Sequence, residues 1–258
     1  MSAEVFATVL VPSLYRPFAE LLVDALDPHP GSCAVDVASG PGTVARVIAR
    51  RIGAIGRVYA CDLDAAMLAA TPPAEPGAAP IELLACPADA LPLPDASVDA
   101  LTCQQGLQFF PDRVAALAEL LRVARPGARL AVAVWRSIDE LPVYRALAEA
   151  AEDRFGTAGG FREAPFALGD PDLLRAPATA AGWTHAEVSP RDLPIEFGSV
   201  ADVLRAFAVT PMADRVRALD AFGRRELEQA LRRSLGRLVD TDGAVRSSVG
   251  AYFLTASA

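Results

Sequence analysis

Between Val35 and Thr43 a short apolar run stops at a Gly-Pro-Gly turn and gives way at once to a helix-forming pattern. Cys33 to Ala38 is rich in small and β-branched residues, which suits a buried strand, and Thr43 to Arg51 is rich in Ala, Val and Ile at helical spacing. The stretch therefore predicts a strand, a tight loop and a helix. Gly40 and Gly42 lack Cβ, so the loop can take φ > 0 and let a ligand lie against the backbone. The free N–H groups that open the helix favour electron-rich ligand atoms. By itself such a turn serves equally well as a plain strand-to-helix connection or as a ligand loop.

The chain is 258 residues long, which allows one large α/β domain with an insertion or one domain with a small cap. Its net charge of −8 argues against nucleic acid, whose binding needs a concentrated basic surface. Arg50-Arg51, Arg224-Arg225 and Arg232-Arg233 read as solvated helix faces. All 24 basic residues are arginine, so Schiff-base, P-loop and lysine-base mechanisms are excluded. The acidic start has no basic n-region, and no apolar run reaches the roughly eighteen residues of a membrane span. The expectation is a soluble cytoplasmic protein without a membrane partner, monomeric or homodimeric. Cys33, Cys61, Cys86 and Cys103 form no C-x-x-C pair and fall one to each predicted strand. They read as small buried hydrophobes in a reduced compartment, with no metal expected; a metal site or disulfide framework is the alternative.

In order, the pattern predicts helices over Ala3 to Val11 and Pro17 to Leu26, and the first strand follows the breaker Asp27-Pro28-His29-Pro30-Gly31. A second strand, Val58 to Cys61, ends in Asp62, about twenty residues past the glycine turn, where a carboxylate can accept hydrogen bonds from two ribose hydroxyls. Asp64 caps a short helix over Ala65 to Ala70. Strands over Ile81 to Cys86 and Ala100 to Gln104 follow, then a helix from Asp112 to Ala124 that Pro126-Gly127 ends, and a fifth strand over Ala128 to Trp135. Beyond it lie helices over Leu141 to Phe155 and Pro171 to Ala181, a long strand or bent arm over Trp183 to Phe197, helical pattern over 199–239, and a last strand over Val245 to Thr255.

Five alternating strand and helix units predict an α/β, doubly wound sheet with its ligand at the carboxyl strand ends. Within that frame, Asp36-x-Ala38-x-Gly40-x-Gly42, Asp62 after strand two, Ala88-Asp89-Ala90 after strand three and the Leu91-to-Asp99 segment before strand four resemble the class I S-adenosylmethionine-dependent methyltransferases. The branch that makes ubiquinone and menaquinone is the most similar. The likeness is good over residues 1 to about 136. It implies a Rossmann-like methyltransferase fold with a seven-stranded, mostly parallel sheet, an antiparallel last strand and a helical lid. The organisation expected is cap helices over 1–30, a cofactor-binding core over 31–198, a lid over 199–240 and a final core strand over 241–258.

The resemblance also implies site roles. Asp36 and the backbone of Ala38, Ser39 and Gly40, with Gly42 completing the turn, hold the amino-acid end of S-adenosylmethionine. Asp62 takes the ribose, Leu63 and Met67 the adenine faces, and Ala88, Asp89 and Ala90 the adenine edge. Gln104 and Gln105 flank the sulfonium and begin the pocket for a small-molecule substrate. A cationic donor needs such carboxylates and carbonyls around it. Ala38 departs from the glycine often found there, a replacement that costs little if the backbone stays in the β region. The lid is expected to pack near the amino-terminal helices around Tyr15.

No catalytic base is identified. His29 precedes strand one at the far end of the sheet, and His185 reads as structural within strand six. Tyr15, Gln108, Phe109 and Trp135 are candidates for the substrate pocket, although the aromatics fit a core equally well. Two alternatives stand beside methyl transfer. Gly40-x-Gly42-x-x-Ala45 with Asp62 also matches a dinucleotide fingerprint, although the absence of lysine removes the usual Tyr/Lys reductase dyad. A relative of the same fold could bind the cofactor without using its methyl group, as a cyclase or a binding module.

Overall fold

The computed structural model describes residues 14–156, 162–207, 215–216 and 218–258. The helix expected over Ala3 to Val11 and part of the 199–239 stretch lie outside them.

Strands β1 (Cys33–Val37), β2 (Arg57–Asp62), β3 (Ile81–Ala85), β4 (Val98–Gln104) and β5 (Ala124–Trp135) are parallel to one another. With β6 (Thr184–Phe197) and β7 (Val245–Ser257) they form one seven-stranded sheet, in the order β3-β2-β1-β4-β5-β7-β6. β7 runs antiparallel to both of its neighbours. The expected α/β sheet with a reversed last strand is therefore present. Its order turns outward in both directions from the β1/β4 boundary, so the crevice over their carboxyl ends is where a ligand fits.

Helix α1 (Arg16–Leu26) begins with Pro17 in its first turn, and α2 (Thr43–Ile52) buries Val44, Val47, Ile48 and Ile52 on one stripe. The opposite face of α2 carries Arg46 and Arg50, which pair with Glu75, while Arg50 also reaches Glu20. Phe18, Leu22 and Leu26 are enclosed beneath α1, each removing apolar surface worth about 1.5–3 kcal/mol from water. α3 (Ala65–Ala69) is capped by the Asp64 carboxylate, which accepts from the Ala66 and Met67 amides, as expected. α4 (Arg113–Val123) is capped in the same way by Asp112 and packs on the other face of the sheet with α6 (Pro171–Ala180). α5 (Pro142–Phe155) starts just past the carboxyl end of β5 and is covered by α8 (Ala221–Leu235), with α7 (Val200–Phe207) against α8.

Several boundaries differ from the sequence pattern. β5 begins at Ala124 and includes Pro126 and Gly127, because Val98 already pairs with Ala124 before a register shift restores the ladder at Ala100 and Arg129. Cys86 lies one residue past β3, although its amide still bonds to the Asp62 carbonyl at 3.1 Å. Trp183 precedes β6, where its indole donates to the Leu117 carbonyl at 2.9 Å and ties this segment to α4 in the core on that face of the sheet. His185 is exposed at φ 51°, within the register shift that opens β6, and it bonds only its neighbour Thr184 among the contacts described.

Candidate active site

The glycine turn is the floor of the crevice. Ala38, Gly40 and Gly42 all have positive φ, at 54°, 55° and 72°, so the chain doubles back between β1 and α2. The turn is tied down by Ser39 N–H donating to the Cys61 carbonyl at 3.0 Å and Gly42 N–H donating to the Ser39 carbonyl at 3.0 Å. Ala38 thus lies outside the β region, so the condition under which alanine costs little there is not met. The left-handed backbone is held because the turn on either side is hydrogen-bonded, and Gly106 makes room for the alanine methyl.

Asp36 sits at the end of β1 and is 1% exposed. Its Oδ2 accepts from the Ser39 hydroxyl at 2.8 Å and the Ala45 amide at 3.1 Å, and its Oδ1 accepts from the Thr102 hydroxyl at 2.8 Å. Burial pushes the carboxyl up to about 6, and these three bonds work in the opposite direction. Asp36 therefore anchors β1, the turn, α2 and β4 to one another from the cavity wall.

Asp62 ends β2 with both oxygens already oriented. Oδ2 accepts from Gly40 N–H at 2.8 Å and Oδ1 from Asp64 N–H at 2.9 Å, which leaves lone pairs on each oxygen for further donors. Leu63 is largely exposed beside it, and Met67 reaches over Gly40. Cys86, Ala88 and Asp89 close this end of the crevice.

The other end is built from amides and rings. Gln104 ends β4, Gln105 follows it directly, Gln108 lies in a short 3₁₀ turn, and all three are buried. Gln105 has φ 55°, and its Oε1 accepts from the Trp135 amide at 3.0 Å. The Trp135 ring meets Tyr15 edge-on at 5.8 Å and stands 5.9 Å from the ring of Tyr144. Burial pushes the Tyr15 phenol up to about 12, and burial with Tyr15 nearby raises Tyr144 well above the ordinary tyrosine value. Both are hydrogen-bond donors at neutral pH. One cavity of about 640 Å³ joins the two ends. That size suits a small-molecule site.

A methyltransferase-domain family profile matches residues 35–132. The demethylmenaquinone methyltransferase of Thermobifida fusca is 33% identical over 199 residues, covering 72% of this chain and 81% of that protein. The chain belongs to the class I S-adenosylmethionine-dependent methyltransferases. The ubiquinone/menaquinone biosynthesis C-methyltransferase of Bordetella avium is 31% identical over 130 residues, covering 50% of this chain and 51% of the enzyme, so the chain spans about half of that relative. The fold is shared with phosphoethanolamine N-methyltransferase 2 of Haemonchus contortus, solved in complex with S-adenosyl-L-methionine. Its TM-score is 0.56 at 15% identity, covering 93% of this chain and 52% of that one.

The residues of this methyltransferase fit the cofactor that its family uses. Asp62 presents a preoriented carboxylate at the β2 end, and the space above Gly40 is open enough that a Cβ there would meet only Met67, at 3.6 Å. Every residue expected at the site lines the cavity except Gly42 and Ala90. A Cβ on Gly42 would stand 2.4 Å from Thr71 Cγ2, so this glycine is required by packing against the α3 end. Ala90 is exposed beyond the loop that carries Asp89. Of the stretch expected as a lid, the described residues do not line the cavity, and α8 packs on α5. Sequence reasoning missed Tyr144 and Gly106. Tyr144 follows Pro142 at the start of the helix after β5, a strand-end position that the fold rule marks. Gly106 directly follows Gln104 and Gln105, where a glycine signals close backbone approach.

Proposed function

We propose that this chain transfers a methyl group from S-adenosylmethionine to an O, N or C nucleophile of an apolar or aromatic small molecule. The carrying observation is one continuous cavity with a carboxylate-and-glycine end at Asp36, Asp62 and Gly40 and an aromatic end at Tyr15, Trp135 and Tyr144. S-adenosylmethionine, when bound, supplies an electrophilic methyl group on a positively charged sulfur. Asp62 would hold the ribose hydroxyls, Leu63 and Met67 the adenine, and the Ala38 to Gly40 backbone the amino-acid end, with Asp36 fixing that backbone from behind.

The acceptor would lie on the Trp135 and Tyr144 rings, which desolvate it and set its approach. No histidine lines the cavity, and its tyrosines keep their protons at neutral pH. This favours catalysis by positioning and exclusion of water, with no protein base taking a proton ahead of transfer. The reading includes a cytoplasmic, monomeric or homodimeric protein without a nucleic-acid partner, supported by four free thiols and a net charge of −8. Among the described residues no helix is long and apolar enough to cross a membrane.

Calorimetry with S-adenosylmethionine, S-adenosylhomocysteine and NAD tests the cofactor. Binding of both sulfur compounds and not NAD is expected; NAD alone would sink the proposal. Turnover of a candidate acceptor with S-adenosylhomocysteine in place of the donor, giving a product of unchanged mass, would support a cyclase instead.

A further inference from the structure

Between α5 and α6 the described residues 162–169 form a strap at the carboxyl end of β5, and it is fixed along its length. Arg162 opens it with two bonds to the Glu152 carboxylate of α5, at 2.6 and 3.0 Å. Phe166 meets the Tyr144 ring edge-on at 5.4 Å, while Leu168 is buried in the core on the α4 side of the sheet. Gly169 then lies directly on the backbone past β5. Its N–H donates to the Phe166 carbonyl at 2.9 Å, its carbonyl accepts from Ser137 N–H at 3.1 Å, and a Cβ there would stand 2.5 Å from the Ser137 nitrogen. Asp170 caps α6 immediately afterwards by accepting from the Asp172 and Leu173 amides.

Pro165 sits between these anchors, in the 3₁₀ turn Ala164–Phe166, and it is the residue of 162–169 that lines the cavity. Its turn packs on the end of β5 and on the 3₁₀ turn Leu107–Phe109. The sheet order sets β5 three strands from β2, so this wall is about 14 Å across the sheet from Asp62, at roughly 4.8 Å per strand. Pro165 is therefore on the acceptor side of the cavity. A proline has no N–H and its ring offers only carbon, so a charged group pressed against it would lose water without gaining a partner. A wall seated on two cores and a backbone contact also discriminates by size, because a longer acceptor cannot push it aside.

Resting on the methyltransferase reading, we propose that Pro165 is a specificity-determining residue: held by the strap, its ring is the fixed end wall of the acceptor pocket. It limits the length of the acceptor and requires that the end facing it be an uncharged ring.

The test uses the full chain saturated with S-adenosylhomocysteine and two uncharged probes that share a hydroxyl-bearing ring, phenol and 2-naphthol, titrated by calorimetry. Pro165→Trp extends the wall into the pocket and is expected to lower 2-naphthol affinity at least about tenfold and phenol affinity less than about threefold. Pro165→Ala opens the wall and is expected to shift the ratio of the two affinities toward 2-naphthol by at least about threefold. Affinity for S-adenosylhomocysteine alone should stay within about twofold in both variants, which a general loss of structure would not allow. A ratio that stays put in either folded variant overturns the proposal. So does cofactor affinity that falls together with probe affinity, or an unmodified protein to which neither probe binds. Pro165→Ala decides the matter if Pro165→Trp fails to fold. If S-adenosylhomocysteine does not bind the unmodified protein, the methyltransferase reading falls and this inference with it; if it binds and the ratio does not move, this inference alone falls.

Discussion

A Cβ on Gly106 would stand 2.4 Å from the Cβ of Ala38, so the turn after β1 and the strand end of β4 have room for one methyl group between them. Ala38 holds that methyl in a left-handed backbone, at φ 54°, which costs an alanine roughly 1–2 kcal/mol.

Ala38→Gly should accordingly be neutral to stabilising by up to about 1 kcal/mol, because relief of strain is offset by the extra freedom of glycine in the unfolded chain. Gly106→Ala should cost roughly 1–3 kcal/mol through contact with both Ala38 and Cys103 Sγ. Combining the two should recover at least about 1 kcal/mol of that loss. Urea unfolding of the four proteins gives the cycle, and simple additivity would show that the contact is relieved by backbone movement.

Asp62→Ala should weaken binding of S-adenosylmethionine by roughly 1.5–3 kcal/mol in calorimetry, since it removes charge-assisted bonds to the ligand. It also releases the Gly40 amide, which Asp62 holds at 2.8 Å. Asp62→Asn keeps an acceptor for that amide and should lose less. If Asn and Ala variants bind alike, Asp62 acts through its charge and not through the turn.

What could be read from residues alone follows from the range of the interactions involved. The strand and helix alternation and the carboxylate of Asp62 are local features of pattern and spacing, and both stand in the structure as expected. The conformation of Ala38 was not legible, because the reason for it is Gly106, 68 residues away in sequence. Nor can the pattern show Thr71 packed over Gly42, which leaves no room for a side chain there. Nor does an apolar stripe in 199–239 say which surface it covers; α8 packs on α5, and Tyr144 of α5 lines the cavity. The orientation of the Gln104 and Gln105 amides depends on the Tyr15 carbonyl and the Trp135 amide, two backbone groups that carry no sequence signal.

Asp36 should give the methyltransferase a pH dependence between about 4 and 6. Its carboxyl titrates near 6 in the folded protein and near 3.9 unfolded, so the folded state binds the proton more tightly. The stability this contributes is fully present below about pH 4 and is lost as pH rises through about 6, on the order of 3 kcal/mol. Binding of the cationic cofactor should move the other way, weakening as pH falls through 6 and Asp36 loses its charge. Asp36→Asn should flatten both profiles, and an unchanged profile in that variant would assign the titration to another group.

The loop that carries Asp89 is braced from α4. Arg122 donates to the carbonyls of Leu91 and Leu93 at 3.1 and 3.0 Å and pairs with Glu119 and Asp95, while Glu119 accepts from the Leu91 amide at 2.7 Å. Arg122→Ala should speed hydrogen exchange at Leu91, whose amide depends on Glu119. It should also weaken cofactor binding by about 1 kcal/mol, a modest figure because the arginine is about one-third exposed. Faster exchange with unchanged affinity would mean that the loop does not position the cofactor.

Gly42 separates turn packing from ligand contact. Its φ of 72° is unfavourable for any L side chain, and an added Cβ would stand 2.4 Å from Thr71 Cγ2. Both effects act in the absence of ligand, so Gly42→Ala should destabilise the fold by roughly 2–4 kcal/mol, the sum of left-handed strain and overpacking. Because Gly42 does not line the cavity, the folded protein should bind S-adenosylmethionine within about twofold of the unmodified chain. Thr71→Ser removes the clashing methyl and should restore about 1 kcal/mol or more to the Gly42→Ala protein. Thermal unfolding with and without cofactor measures both quantities. A variant that folds well and binds poorly would return Gly42 to the cofactor.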